Sequence, residues 1–124
     1  MNVKIDTKEK FTVITPYEEQ LSANMTDELK DLLLPFVQKG KTPIVINLRE
    51  VKELDEAIGR AILIIHQQFY KNNTSFVVCN IQPMVKKLLE EKGLLEFLNY
   101  TPTESEAWDI VQMEEIEREL LGGE

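Results

Sequence analysis

Cysteine is almost missing from this chain: Cys79 stands alone among 124 residues, which excludes an intramolecular disulfide and points to a reducing compartment. Set in the apolar run Val77-Val78-Cys79, it reads as a small buried hydrophobe and not as a reactive thiol. Histidine is equally scarce. His66 has no cysteine or second histidine at ligand spacing, so it reads as a structural residue, and no metal is expected. The chain also lacks a Gly-rich phosphate loop, a Gly-x-Ser-x-Gly elbow and any nucleophile paired with a base. Neither catalysis nor a cofactor is expected. Positive charge is short as well, with 14 Lys and Arg against 22 Asp and Glu for a net charge of −8, which argues against nucleic acid or an anionic membrane surface as partner. The longest apolar run, Ala61 to Ile65, is far too short to span a bilayer, and Met1-Asn2-Val3-Lys4-Ile5-Asp6 has no signal core. The expected location is the cytoplasm, and the expected partner is a protein.

What is present is a chain of one-domain length whose hydrophobic pattern switches repeatedly between two periods. Val3 and Ile5, then Phe11, Val13 and Thr15-Pro16, alternate with polar neighbours and predict two strands joined by a hairpin at Thr7-Lys8-Glu9-Lys10. Leu21-Ser22-Ala23-Asn24 gives a helix-start signal. Met25, Leu29, Leu32, Leu33 and Phe36 then share a helical face, with Pro35 expected to kink the last turn and Gly40 to end it. Ile44 to Leu48 is apolar at nearly every position, the mark of a strand covered on both sides. From Asp55, the residues Ala57, Ile58, Ala61, Ile62, Ile65 and Phe69 recur at helical spacing until Asn72-Asn73, and Ser75-Phe76-Val77-Val78-Cys79 returns to strand. Strand and helix therefore alternate. The expected fold class is a single α/β domain, a mixed β-sheet with an antiparallel N-terminal pair and parallel later strands, packed by about four helices.

At the C-terminal end, Thr103-Glu104-Ser105-Glu106 has the spacing of a capping box. Trp108, Val111, Ile116 and Leu120 predict a partial apolar face, with Glu114, Glu115, Glu117 and Glu119 crowding the remainder. The core is expected to use only the first turns. Residues 1–113 are read as the domain proper and 114–124 as an acidic helical extension of it, ending near Gly122-Gly123 and serving as a candidate homodimer contact.

The segment Lys52-Glu53-Leu54-Asp55-Glu56-Ala57-Ile58-Gly59-Arg60, lying between the strand Pro43 to Leu48 and a helix, resembles the switch loop of the STAS domain, the fold of anti-sigma factor antagonists. The likeness continues through Val77 to Leu94, with a helix closed by Gly93-Leu94, and through Phe97 to Ala107. In that family the loop reads Asp-Ser-Ser/Thr-Gly/Ala-Leu-Gly, and a partner kinase phosphorylates the first hydroxyl. With Ala57-Ile58-Gly59 on its last three positions, Leu54 replaces the family aspartate, and Asp55 and Glu56 replace the hydroxyl residues. In the other alignment Asp55 matches the aspartate and Glu56 takes the switch position. The first alignment is preferred, and both leave the loop without a hydroxyl.

The resemblance implies a protein-interaction module, not an enzyme, whose partner is an anti-sigma factor or related kinase-like regulator. The implied partner-binding residues are Leu54, Asp55, Glu56, Ala57, Ile58, Gly59 and Arg60, with no phosphorylation at the family position, Asp55. Read without the resemblance, Asp55 is an N-cap and Glu56 a first-turn acid that complements the helix dipole. Gly59 suggests a close approach by a partner or a neighbouring strand. Two other roles fit the same fold: a subunit of an ABC-type lipid-transport complex, and a small-ligand-binding domain.

Overall fold

Successive residues of a strand point to opposite faces of its sheet, so strands that are apolar throughout need cover on both sides. The computed structural model describes residues 1–39 and 42–122. Its elements are β1 (Val3–Thr7), β2 (Thr12–Pro16), β3 (Gln20–Leu21), α1 (Thr26–Lys39), β4 (Ile44–Asn47), β5 (Glu53–Leu54), α2 (Glu56–Lys71), β6 (Phe76–Cys79), α3 (Pro83–Glu91), β7 (Tyr100–Thr101) and α4 (Glu104–Gly122). A five-stranded sheet runs β1-β2-β4-β6-β7. β1 is antiparallel to β2, and every later neighbour is parallel. This is the mixed sheet that the alternating pattern predicts.

Ile14, Ile44, Ile46, Phe76 and Val78 point to one face and pack against α1, α2 and α3. Val13, Val45, Val77 and Cys79 point to the other and meet Ala107 and Val111 of α4, with Ile110 partly buried against them and Phe11 and Trp108 stacked 4.7 Å apart beside them. Cys79 is fully buried, and burial pushes its thiol up to about 12. It serves as packing, as expected.

α1 continues through Pro35 to Lys39, and its inward residues are Leu29, Leu33 and Val37. The Gly40 stop lies outside the described residues, as does Gly123. A feature not predicted from the sequence is a second, two-stranded parallel sheet of β3 and β5, pairing Gln20 with Glu53 and Leu21 with Leu54. It converts the expected loop into a braced segment.

α4 opens on the predicted cap. The Glu106 amide donates to Thr103 Oγ1 at 3.2 Å, and that hydroxyl donates to Glu106 Oε1 at 2.9 Å. The apolar face expected beyond it divides: Val111 is buried and Trp108 half-buried, whereas Ile116 and Leu120 are exposed. Five residues carry a helix roughly 140° past a full turn, so Ile116 cannot share the face of Val111. Among the described residues, no helix is long and apolar enough to cross a membrane.

Candidate functional site

The loop that leaves β4 is tied down at both ends by main-chain hydrogen bonds. The Leu48 amide donates to the Cys79 carbonyl at 3.0 Å, and the Val51 amide turns back to Leu48 at 3.0 Å. Lys52 and Glu53 both donate to the Glu19 carbonyl, at 2.8 and 3.1 Å, and Asp55 donates to Leu21 at 3.0 Å. Asp55 is the N-cap of α2, with extended φ and ψ of −77° and 155°, yet its carboxylate does not cap that helix. Its Oδ2 instead accepts the Ala23 amide at 2.7 Å, at the head of the 3-10 turn that leads into α1. One side chain therefore locks the entrances of two helices together.

Glu56, in the first turn of α2, is paired twice. Arg60 Nε donates to its Oε2 at 2.8 Å, and Lys92 Nζ lies 3.4 Å from its Oε1. The Arg60 guanidinium, with Lys92 adding to it, holds the Glu56 carboxyl below the usual carboxylate range. The acid pair thus divides its work, with Asp55 bonded to backbone and Glu56 inside a small charge cluster.

The remaining predicted residues separate by burial. Ile58 is a core residue and Gly59 is buried beneath α3, whereas Leu54 is buried on its inner side and reaches the surface only at the floor of a groove. A Cβ on Gly59 would lie 3.0 Å from Leu89 Cδ2 and 3.1 Å from Leu94 Cδ1, so the close neighbour is intramolecular. Ala57 and Arg60 face solvent, and Asp55 and Glu56 are half-exposed. Sequence reasoning missed a groove of about 280 Å³ between β5 and α3, lined by Glu53, Leu54, Met84, Lys87, Leu88 and Glu91. It also missed Ile64, exposed on the same side of α2 as Arg60. Single exposed apolar residues give no periodic signal, so neither was legible beforehand.

His66 lies farther along α2, buried, with its ring 4.6 Å from Tyr70 and its Nε2 accepting the Asn99 amide at 3.3 Å. Burial lowers its pKa from the ordinary 6.5, opposed by the Glu114 carboxylate. The unfolded chain therefore takes up this proton at a higher pH than the folded one, so the His66 contribution is complete above about pH 6.5 and is lost as pH falls through the folded value. Thermal melts at about pH 7.5 and about pH 5.5 are expected to show a smaller acid-induced drop in Tm for His66→Gln, which keeps an acceptor for Asn99, than for wild type.

Comparison with known proteins agrees with this architecture. The family model for the STAS domain matches residues 2–107. Among solved structures, an anti-sigma-factor antagonist (STAS) domain protein from Planctomyces limnophilus superposes with a TM-score of 0.76 at 16% identity, covering 89% of this chain and 97% of that one. The anti-sigma factor antagonist SpoIIAA in its unphosphorylated form gives 0.74 at 18% identity, covering 90% and 96%. Moorella thermoacetica RsbS, in a serine-to-glutamate form, gives 0.75 at 21% identity with the same coverage. The sheet order, the helix layers and the match across most of the chain lead to one conclusion: this chain belongs to the STAS domain family.

Proposed function

We propose that the domain works by protein-protein recognition, as a module of the anti-sigma factor antagonist kind whose switch position carries a fixed carboxylate. The observation that carries this reading is the acid pair at the start of α2, half-exposed, with Asp55 as N-cap and Glu56 in the first turn. A carboxylate has no hydroxyl to phosphorylate, so a serine kinase cycle cannot operate at position 55 or 56. SpoIIAA, by contrast, has both an unphosphorylated and a phosphorylated form.

Two consequences of a permanent acid can be separated. If the pair imitated a phosphorylated serine, it would hold the domain in a non-binding state. A phosphoserine brings a charge of about −1.5 to −2, but Glu56 is already compensated by Arg60 and Lys92. This supports the second alternative, in which the acids belong to a working interface. The partner is then a kinase-like anti-sigma factor or related regulator that meets Asp55 with Arg or Lys, beside the already paired Glu56. Lys52, Ala57, Arg60 and Ile64, with the groove beside Met84, complete the surface.

Isothermal titration against a purified kinase-like anti-sigma factor tests this. Asp55→Asn retains an oxygen for the Ala23 amide and is expected to weaken binding about tenfold, the loss of one charge-assisted contact. Asp55→Lys is expected to abolish binding. Tighter binding by Asp55→Asn and Asp55→Ser is the result that a silencing acid predicts, and it would overturn the proposal.

A further inference from the structure

α4 has two apolar faces, and the core uses only one. Ala107 and Val111 are buried against the sheet. Met113, Ile116 and Leu120 follow at spacings of three and four, which aligns them in a stripe about half a turn around the helix from Val111. They are 59%, 54% and 77% exposed. Among the described residues α4 is the helix that covers this side of the sheet, so Met113 and Leu120 point away from the domain and Ile116 stands at the rim of a hollow beside Trp108. The Asp55 loop and α2 lie on the opposite face.

This part of α4 is held firmly. Glu114 Oε1 accepts from Tyr70 Oη at 2.7 Å and from Ser75 Oγ at 2.6 Å, and Arg118 Nη2 lies 3.9 Å from the same oxygen. The helix is pinned one residue beyond Met113, so the stripe is displayed on a prepared surface and needs little ordering when it is covered. Its borders are mainly acidic, with Lys10 as a basic neighbour that shares the hollow with Ile116 and Glu119. Asp109, Glu117 and Glu119 are exposed around it, while the only basic residue of α4, Arg118, is half-buried beside Glu114. A second copy docked stripe to stripe would set these acids against their own kind. A partner helix with apolar residues flanked by Lys and Arg meets complementary charge along both edges.

We infer that the outer face of α4 is a second docking surface, independent of the Asp55 loop, for a basic amphipathic helix of another protein. The domain then has one recognition surface on each side of its sheet.

The test uses a fluorescent synthetic helix of about 18 residues, Leu on one face and Lys on the other, with a Leu and Glu peptide as control, read by anisotropy. Wild type is expected to bind the Lys peptide and not the Glu peptide. Ile116→Ser with Leu120→Ser is expected to weaken binding by about tenfold or more. Glu117→Lys with Glu119→Lys is expected to reverse the preference between the peptides. Asp31→Lys with Glu96→Lys makes the same charge change elsewhere and is expected to leave binding intact. All of these side chains are exposed, so folding is expected to survive. Equal loss in the Asp31 and Glu96 variant would reduce the effect to general attraction by an acidic protein and overturn the inference. So would unchanged binding after removal of Ile116 and Leu120. A stable dimer in sedimentation that the Ile116 and Leu120 variant breaks would assign the stripe to a second copy instead.

Discussion

Phe69→Ala is expected to destabilise the domain by about 4 kcal/mol, in the upper range for truncating a buried aromatic. Phe69 occupies the last turns of α2, fully buried, with its ring 5.1 Å from that of Phe76 at an angle of 52°. Phe76 opens β6 and is paired in register with Ile44 of β4. The two rings therefore join the helix that carries the candidate site to the middle of the sheet. Alanine removes the ring and leaves a cavity whose walls, including Phe76 and Ile65, belong to elements fixed by sheet pairing and helix packing, so they cannot collapse freely. The Phe69 carbonyl, which accepts the Thr74 amide at 2.9 Å, also sets the turn into β6. Against a total of about 5 to 15 kcal/mol for a typical domain, such a loss brings the protein close to unfolding at ordinary temperature. Urea denaturation measures it. A change below about 1.5 kcal/mol would mean that α2 moves inward and fills the gap, contrary to this account.

Glu114→Ala is expected to destabilise by about 2 to 3 kcal/mol, although Glu114 stands in a sequence of acids that resembles a solvated surface. Its Oε1 takes hydrogen bonds from Tyr70 and from Ser75, and its Oε2 lies 3.4 Å from Asn99 Nδ2. Ser75 is fully buried, so without Glu114 its hydroxyl loses the acceptor it uses. Tyr70 retains a long contact to the Phe76 carbonyl at 3.5 Å, and it still accepts from Asn99 at 2.6 Å, which limits the loss. Burial and the adjacent carboxylate raise the Tyr70 pKa strongly, so Tyr70 remains a neutral donor. Alanine is the best helix former, so any loss comes from tertiary hydrogen bonds and not from helix propensity. Glu114→Gln, whose carbonyl oxygen can accept from both hydroxyls, is expected to recover most of the stability. Amide exchange across residues 115–122 is expected to speed up in the alanine variant and much less in the glutamine one. Equal exchange in both variants would show that the outer turns of α4 do not depend on this anchor.

Much of the fold was legible in the residues because it follows from local periodicity. The largely apolar β4, the helical spacing of α2 and the Thr103 cap each carry their information within a few positions. The acid pair was likewise found as residues. Its surroundings were not. Asp55 reaches the Ala23 amide across 32 positions, and the neighbours that crowd position 59 are the side chains of Leu89 and Leu94. Leu54 and Ile58 belong to the same contiguous segment as Ala57 and Arg60, but α3 and the sheet determine which of them solvent can reach. No local pattern encodes a contact of that kind.

The sequence by itself determined the alternation of the main strands and helices, the apolar face of each main helix and the absence of a hydroxyl at positions 55 and 56. These are properties of side-chain type and chain period, fixed before any distant residue is met. Only the tertiary structure decided that Asp55 would brace two helices, that Glu56 would be compensated by Arg60 and Lys92, and that Glu114 would turn inward while Ile116 and Leu120 turned out. A charge or an apolar side chain takes its role from what packs against it, and that is settled only when segments far apart in the chain are brought together.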